Sequence, residues 1–346
     1  HLELPLPADE EQAARAVTLR QRLDDVDALL NASQVDEPRM LAEAVVADAE
    51  ALGYLPVIAE AQLALGRVHE HHGRYAEAEA AFERALWAAE VGRHDAAAVD
   101  AWGEWMRTVG YQQGRYELAH AMEPRFDAAL HRLGPDVRRE AKVHRVLGTL
   151  AFGEREYATA VSHLEKATAL LEGEPNPDEG QLSRAYQNLG TALYRVRRLD
   201  ESATMLSRAF ELTTALYGPG HPRLAPTLQS LGNLARRRGD PVAAQRYFEQ
   251  VIAIVEAVHP PTHPARADNY RNLGSALQDA GQLDEAITWF ERALEADRQR
   301  GELEPPYNGS LALGVALFEA GRADEAREPL ELGISGADAP GVDVER

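Results

Sequence analysis

A Leu-Gly pair returns along this chain at Leu65-Gly66, Leu147-Gly148, Leu189-Gly190, Leu231-Gly232, Leu273-Gly274 and Leu313-Gly314, so the glycines fall 82, 42, 42, 42 and 40 residues apart. The first interval is close to two of the others, which places one degenerate unit between Gly66 and Gly148. Twelve residues after the glycine comes Ala78, Ala160, Ala244 or Ala286, and four further on a large residue, Phe82, Leu164, Phe248 or Phe290. Ala85, Ala167 and Ala293 follow three residues later. Intervals of three and four put side chains on one stripe of a helix. Each unit therefore reads as two amphipathic helices joined by a tight turn. A glycine on the first helix and an alanine on the second let two antiparallel backbones approach closely, while the following Phe or Leu fills the groove between units. One such hairpin cannot bury its own apolar face, so stacking on neighbours has to stabilise it.

Turn chemistry agrees with that reading. Gly73, Gly114, Gly239, Gly281 and Gly321 stand where a helix end needs positive φ, and Asp240-Pro241 reads as an N-cap followed by proline in the first turn. The pattern predicts an N-terminal capping helix pair within residues 1–55, built from helices over 9–31 and 37–52, with Pro38 in the first turn of the second. About seven hairpins then follow over 56–334, the second degenerate and the last truncated. Their helices are expected near 56–72/75–91, 95–113/116–133, 136–153/157–172, 178–197/199–217, 221–239/241–259, 263–280/283–300 and 305–320/323–334. Pro329 falls inside the last helix and is expected to kink or fray it. Residues 335–346 have no periodicity and are expected to form a mobile tail.

Charge and composition narrow the function. The chain carries 36 Lys+Arg against 56 Asp+Glu, a net charge of −20, which argues against a nucleic-acid or anionic-membrane surface. It has no cysteine, excluding disulfides and thiol chemistry, and no apolar run long enough for a membrane span. The N-terminus lacks the basic and apolar segments of a leader, so a cytoplasmic setting is expected. Phosphate-cradling glycine motifs and the His-Arg-Asp and Asp-Phe-Gly kinase signatures are missing, so no catalytic residue, cofactor site or enzyme activity is expected in these residues. His69-Glu70-His71-His72 fails the His-Glu-x-x-His spacing because Gly73 takes the fifth place, and no metal site is assigned. Asn31-Ala32-Ser33 and Asn308-Gly309-Ser310 match the glycosylation sequon, but nothing else points to secretion.

These units resemble the tetratricopeptide repeat in its 42-residue form, like that of kinesin light chains, over about residues 56–334. Leu216-Tyr217-Gly218-Pro219-Gly220-His221-Pro222 is similar to the linker of that class, and His263-Pro264 repeats it 42 residues later. The resemblance implies an all-α, right-handed superhelical α-solenoid of tandem helix-turn-helix repeats. Upstream, Ala51-Leu52-Gly53-Tyr54, Leu65-Gly66-Arg67, Gly73-Arg74-Tyr75-Ala76-Glu77-Ala78 and Val109-Gly110-Tyr111-Gln112 resemble the C-terminal region of myxobacterial-type serine/threonine protein kinases. Leu2-Glu3-Leu4-Pro5-Leu6-Pro7 resembles the junction at which such kinases leave their catalytic half. This implies a regulatory, scaffolding region whose kinase domain lies outside the chain.

The family resemblance further implies that set positions of each first helix line a concave groove. Here these are Lys142, Arg145 and Thr149; Arg184, Gln187, Asn188, Thr191 and Arg195; Gln229, Ser230, Asn233 and Arg237; and Asp268, Arg271, Asn272, Ser275 and Asp279. Six cations face two carboxylates on a chain of net charge −20, so a basic groove holding an extended, acidic peptide is expected. The co-chaperone carboxylate clamp is not reproduced, because Pro226, Ser230 and Asp268 stand where it needs Lys, Asn or Arg. In the degenerate unit Arg107 replaces the glycine, and Trp102, Trp105, Met106 and Tyr111 crowd one helix. They read either as filling altered packing or as a second contact patch, Trp102, Trp105 and Tyr111, for a partner or another copy of the chain. The expected role is a noncatalytic protein-interaction module, with a free-standing adaptor or a small-metabolite sensor as alternatives.

Overall fold

A computed structural model describes residue 7 and residues 9–31, 37–258, 263–299 and 307–337. Among the described residues the secondary structure is helical, with no strand. In chain order the helices are α1 (Glu10–Asn31), α2 (Glu37–Leu52), α3 (Leu55–His71), α4 (Tyr75–Val91), α5 (Asp95–Met106), α6 (Tyr116–Ala121), α7 (Glu123–Leu133), α8 (Val137–Gly153) and α9 (Tyr157–Glu172). They continue as α10 (Glu179–Arg195), α11 (Leu199–Tyr217), α12 (Ala225–Arg237), α13 (Pro241–Val258), α14 (Pro264–Asp279), α15 (Leu283–Gln299), α16 (Tyr307–Glu319) and α17 (Ala323–Ala337). The chain divides into two compact units, residues 1–192 and 193–346, each an array of stacked helical hairpins.

The predicted steric device is present in both units. A Cβ added to Gly148 would lie 2.7 Å from Leu164, and one on Gly232 or Gly274 would lie 2.7 Å from the ring of Phe248 or Phe290. Gly66 against Phe82 and Gly314 against Leu330 repeat the arrangement. Phe82, Phe248 and Phe290 are completely buried, and the alanines four residues before them are too. In the first unit α1 and α2 pack on α3 through Ala16, Leu19, Val26, Val45, Val57 and Val68. In the second, one cluster runs from Phe248 through Tyr270, Leu273 and Phe290 to Leu313 and Leu317.

The degenerate hairpin departs from expectation in two ways. Its first helix passes at Arg107–Gln112 into a π-helical turn, and this moves the close-approach glycine from position 107 to Gly110. A Cβ on Gly110 would meet Ala119 at 2.9 Å and press into Leu150. The second helix, expected as one element over 116–133, is broken at Met122 into α6 and α7. Pro124 sits in the first turn of α7, where its missing N–H and ring are tolerated; inside an unbroken helix they would not be.

The turn glycines Gly73, Gly114, Gly239, Gly281 and Gly321 all have positive φ, from 69° to 76°. Where no glycine is available, Arg93, Arg155 and Arg197 take the left-handed backbone instead, at φ 53°, 67° and 65°. Asp240 accepts the Ala243 N–H at 3.0 Å, as an N-cap before Pro241 should. The linker histidines cap as well: His221 Nδ1 accepts from Arg223 N–H and His263 Nδ1 from Ala265 N–H, each at 3.2 Å. The last helix continues across Pro329 to Ala337, three residues beyond the expected end. The rest of the expected tail, residues 338–346, lies outside the described residues, as do Leu2-Glu3-Leu4-Pro5-Leu6 and the linker residues 259–262.

Candidate functional site

The first helices of consecutive pairs, α1, α3, α5 and α8, are linked by a ladder of charges. Arg20 donates two hydrogen bonds to Glu60, at 2.8 and 3.0 Å, and His94 Nε2 lies 2.9 Å from the same carboxylate. Arg67 Nε stands 3.7 Å from Glu104. Arg107 donates to Glu70 and, at 3.0 Å, to Glu104, while Thr108 Oγ1 donates to Glu70 at 3.1 Å. Lys142 Nζ bridges Asp100 and Glu104 at 3.0 and 3.1 Å. Arg139 joins Asp100 at 3.1 Å to Asp136 at 2.7 Å.

Electrostatics ranks these groups. Burial disfavours the charge of Glu104, but Lys142, Arg107 and Arg67 outweigh it and hold the carboxyl well below its usual range. Asp100 is lowered in the same way against burial, by Lys142, Arg139 and Arg67. Glu70 behaves oppositely: burial pushes it up by more than Arg107 pulls it down, with Glu104 adding to the rise. The ladder ends at Arg145. Each nearby carboxylate is already engaged by another cation, and no hydrogen bond or ion pair joins the Arg145 guanidinium to the described residues. Burial, opposed by Glu104 and reinforced by Arg184 and Arg107, pushes its guanidinium down to about 10.

The structure therefore revises the expected basic groove. Lys142 and Arg271 are not spare cations. Lys142 is only 10% exposed on its two carboxylates, and Arg271 binds Asp268 and, at 2.8 Å, Asp297, which is 3% exposed. Removing Arg271 would take an ion-pair partner from a buried carboxylate, so its first duty is structural. Asp279 pairs with Arg236 at 2.7 Å. Arg237 lies over the Tyr194 ring, 4.9 Å from its centroid. Arg184 and Arg195 are exposed on α10. Thr149 donates to the Arg145 carbonyl at 2.8 Å, and Gln187 Nε2 donates to Thr191 Oγ1 at 3.2 Å. Asn188, Gln229, Asn233, Asn272 and Ser275 are half-buried.

The proposed second patch is corrected as well. Trp102 and Trp105 are 7% and 5% exposed, meet edge to face at 5.8 Å, and belong to the core around Met106, Phe126 and Leu150. They fill the space opened by the altered hairpin, leaving Tyr111, 37% exposed, at the surface. Sequence reasoning missed Asp100 and Glu104 as partners of Lys142, and the neighbouring pair of Glu70 with Arg107. A signal existed, because Asp100 and Lys142 are opposite charges exactly one 42-residue period apart. Counting from the third repeat left out the helix that carries the acids.

Tetratricopeptide-repeat family models match residues 181–257, 242–299 and 23–93, together more than half of the chain. No curated protein matches it. Among solved structures, a putative kinesin light chain with nearly identical TPR-like repeats from Podosopora anserina is similar at 21% identity and TM-score 0.52, covering 60% of this chain and 99% of that one. BtubC (BKLC) from P. vanneervenii aligns at 16% identity and TM-score 0.52, over 73% of this chain and 95% of that one. A Rap protein complexed with Competence and Sporulation Factor aligns at 14% identity and TM-score 0.58, over 93% of this chain and 77% of that one. No described helix is long and apolar enough to cross a membrane.

Proposed function

We propose that this chain, which belongs to the tetratricopeptide-repeat family, is a noncatalytic protein-interaction module that holds an extended peptide segment of a partner on its first-helix face. The observation that carries this reading is how the side chains of α8 and α10 divide. Val143, Val146, Leu150, Leu182, Ala185 and Leu189 are buried by packing, while Arg145, Thr149, Arg184, Gln187 and Asn188 are left partly or fully exposed. A row of amides, hydroxyls and guanidiniums at one-turn spacing suits the backbone groups and acidic side chains of an extended ligand. A structural neighbour complexed with Competence and Sporulation Factor supports the idea that this fold accommodates such a factor.

The motifs shared with the C-terminal region of myxobacterial-type serine/threonine kinases support a regulatory or scaffolding role for a parent kinase. A kinase domain encoded upstream in the same reading frame is the expected finding; without one, the chain acts as an adaptor. Groove binding is tested with a random peptide display library panned on the intact chain. Selected peptides should weaken about tenfold or more against the Gln187→Ala/Asn188→Ala double variant, because lost side-chain hydrogen bonds cost about 1 kcal/mol each. Peptides that bind this variant as tightly as the wild type would place recognition elsewhere.

A further inference from the structure

In residues 193–346 the hairpin of α14 and α15 touches the next one through Arg271, Gln278 and Leu294. A Cβ added to Gly309 of α16 would lie 3.0 Å from Leu294 and 3.8 Å from Arg271, and Gln278 donates to Glu319 at 2.7 Å. The hairpin before it repeats two of these contacts: Arg236 donates to Asp279 at 2.7 Å, and Ile252, in the place of Leu294, is packed into the core with Tyr270. Forty residues after Arg271, Gln278 and Leu294, the matching positions of α16 and α17 hold Leu311, Phe318 and Ile334. No helix follows α17 among the described residues, and these side chains face water: Phe318 is 65% and Ile334 58% exposed, against 7% for Leu294. Leu311, Val315 and Phe318, all exposed, are spaced by four and three residues, so they form one apolar stripe along α16. Stacking removes surface of this kind from water elsewhere in the array.

Charge says what covers the stripe. From Tyr307 to Phe318, α16 carries no charged residue, in a chain that is 27% charged. The matching helix α14 carries Arg266, Asp268, Arg271 and Asp279. Two copies of a chain of net charge −20 repel wherever their acidic faces meet, so they can approach only through a face that is both apolar and uncharged. A different protein could have met this surface with complementary charges; a twofold contact sets like against like and cannot. We propose that α16 and α17 form a self-association surface, on which two copies pack α16 against α16 about a twofold axis. With Val315 near the axis, Leu311 of one copy faces Phe318 of the other, since they lie four residues before it and three after. The inference concerns assembly and does not depend on the peptide-groove reading.

Sedimentation velocity of the full chain from about 1 to 100 μM makes the first test, and a monomer–dimer equilibrium is expected. Phe318→Glu and Ile334→Glu, each at an exposed side chain, should each weaken the dimer about tenfold or more, with helicity and melting temperature of the monomer unchanged. Screening the net charge with salt at about 0.5 M should strengthen the wild-type dimer. Because the chain has no cysteine, a single introduced one reports where the copies meet. Val315→Cys should give a disulfide-linked dimer under mild oxidation, whereas Val242→Cys, 66% exposed on α13, should not. A monomer at every concentration would overturn the proposal and leave the stripe to residues 338–346 or to another protein. A dimer that survives both glutamate variants, or equal cross-linking of the two cysteine variants, would overturn it too.

Discussion

The guanidinium of Arg107 ends on the carboxylate of Glu70, one hairpin upstream. Arg107 occupies the place that six other units give to glycine, so a residue that breaks the repeat also ties two first helices together. The contact is possible because the π-helical turn starting at Arg107 shifts the close approach to Gly110, which frees position 107 to face its neighbour.

Restoring the repeat glycine at this position should therefore destabilise the protein. Arg107→Gly leaves Glu70 buried without its cation and removes one of the four charges holding Glu104 ionised. A loss of about 3 kcal/mol is expected in urea unfolding. Adding Glu70→Gln to the variant should recover part of it, and a purely additive double mutant would contradict the coupling.

Crowding at the repeat glycines predicts a second result. Gly274→Ala puts a methyl 2.7 Å from the fully buried Phe290 ring, and the overpacking should cost about 1–3 kcal/mol despite alanine's better helix propensity. Phe290→Leu in the same chain should relieve part of that cost. Chemical denaturation of the two single variants and the double variant measures it.

Arg197 holds a left-handed backbone at φ 65°, where the corresponding turns elsewhere use glycine. Arg197→Gly should stabilise the chain by about 1 kcal/mol, the strain of an L-residue in that conformation. The denaturation midpoint is expected to rise with an unchanged m-value.

Burial of the two tryptophans makes a distinction that binding data alone would blur. Trp105→Ala should cost about 3–5 kcal/mol and weaken the near-ultraviolet circular dichroism, because it empties core volume. Tyr111→Ala, at the surface, should change stability far less. Trp105→Ala with wild-type stability would return the residue to the role of an accessible contact.

Histidine ionisation sets the pH response in two opposite directions. His144 and His163 face each other with Nδ1 atoms 3.1 Å apart, and burial lowers both, with Lys166 and each other's proximity acting the same way on His163. A lowered histidine favours the fold above its unfolded value of about 6.5 and loses that contribution as pH falls below it. His120 lies between Glu123 and Glu154; burial lowers it, but the two carboxylates outweigh that and raise it. Its contribution is therefore complete below about 6.5 and is lost as pH rises through its folded value. Urea unfolding from pH 5 to 8 should show His163→Asn flattening the acid side and His120→Gln flattening the neutral side.

The 42-residue spacing alone determined the hairpins, their turn glycines and the glycine-to-phenylalanine contacts, because these depend on residues held at fixed separations along two helices. It also gave the identity of each first helix, while the expectation that Arg145, Thr149, Gln187 and Asn188 share a polar stripe came from the resemblance to the tetratricopeptide repeat. What the spacing could not give was which charges on that stripe are already taken. Lys142 and Arg145 are three residues apart on the same helix face; one is neutralised by Asp100 and Glu104, the other is not. That difference depends on which side chains of α5 reach α8 in the packed structure, and this leaves no periodic trace. Ion pairing falls off within a few ångströms, so only the packed helices decide which cation is neutralised by the chain itself.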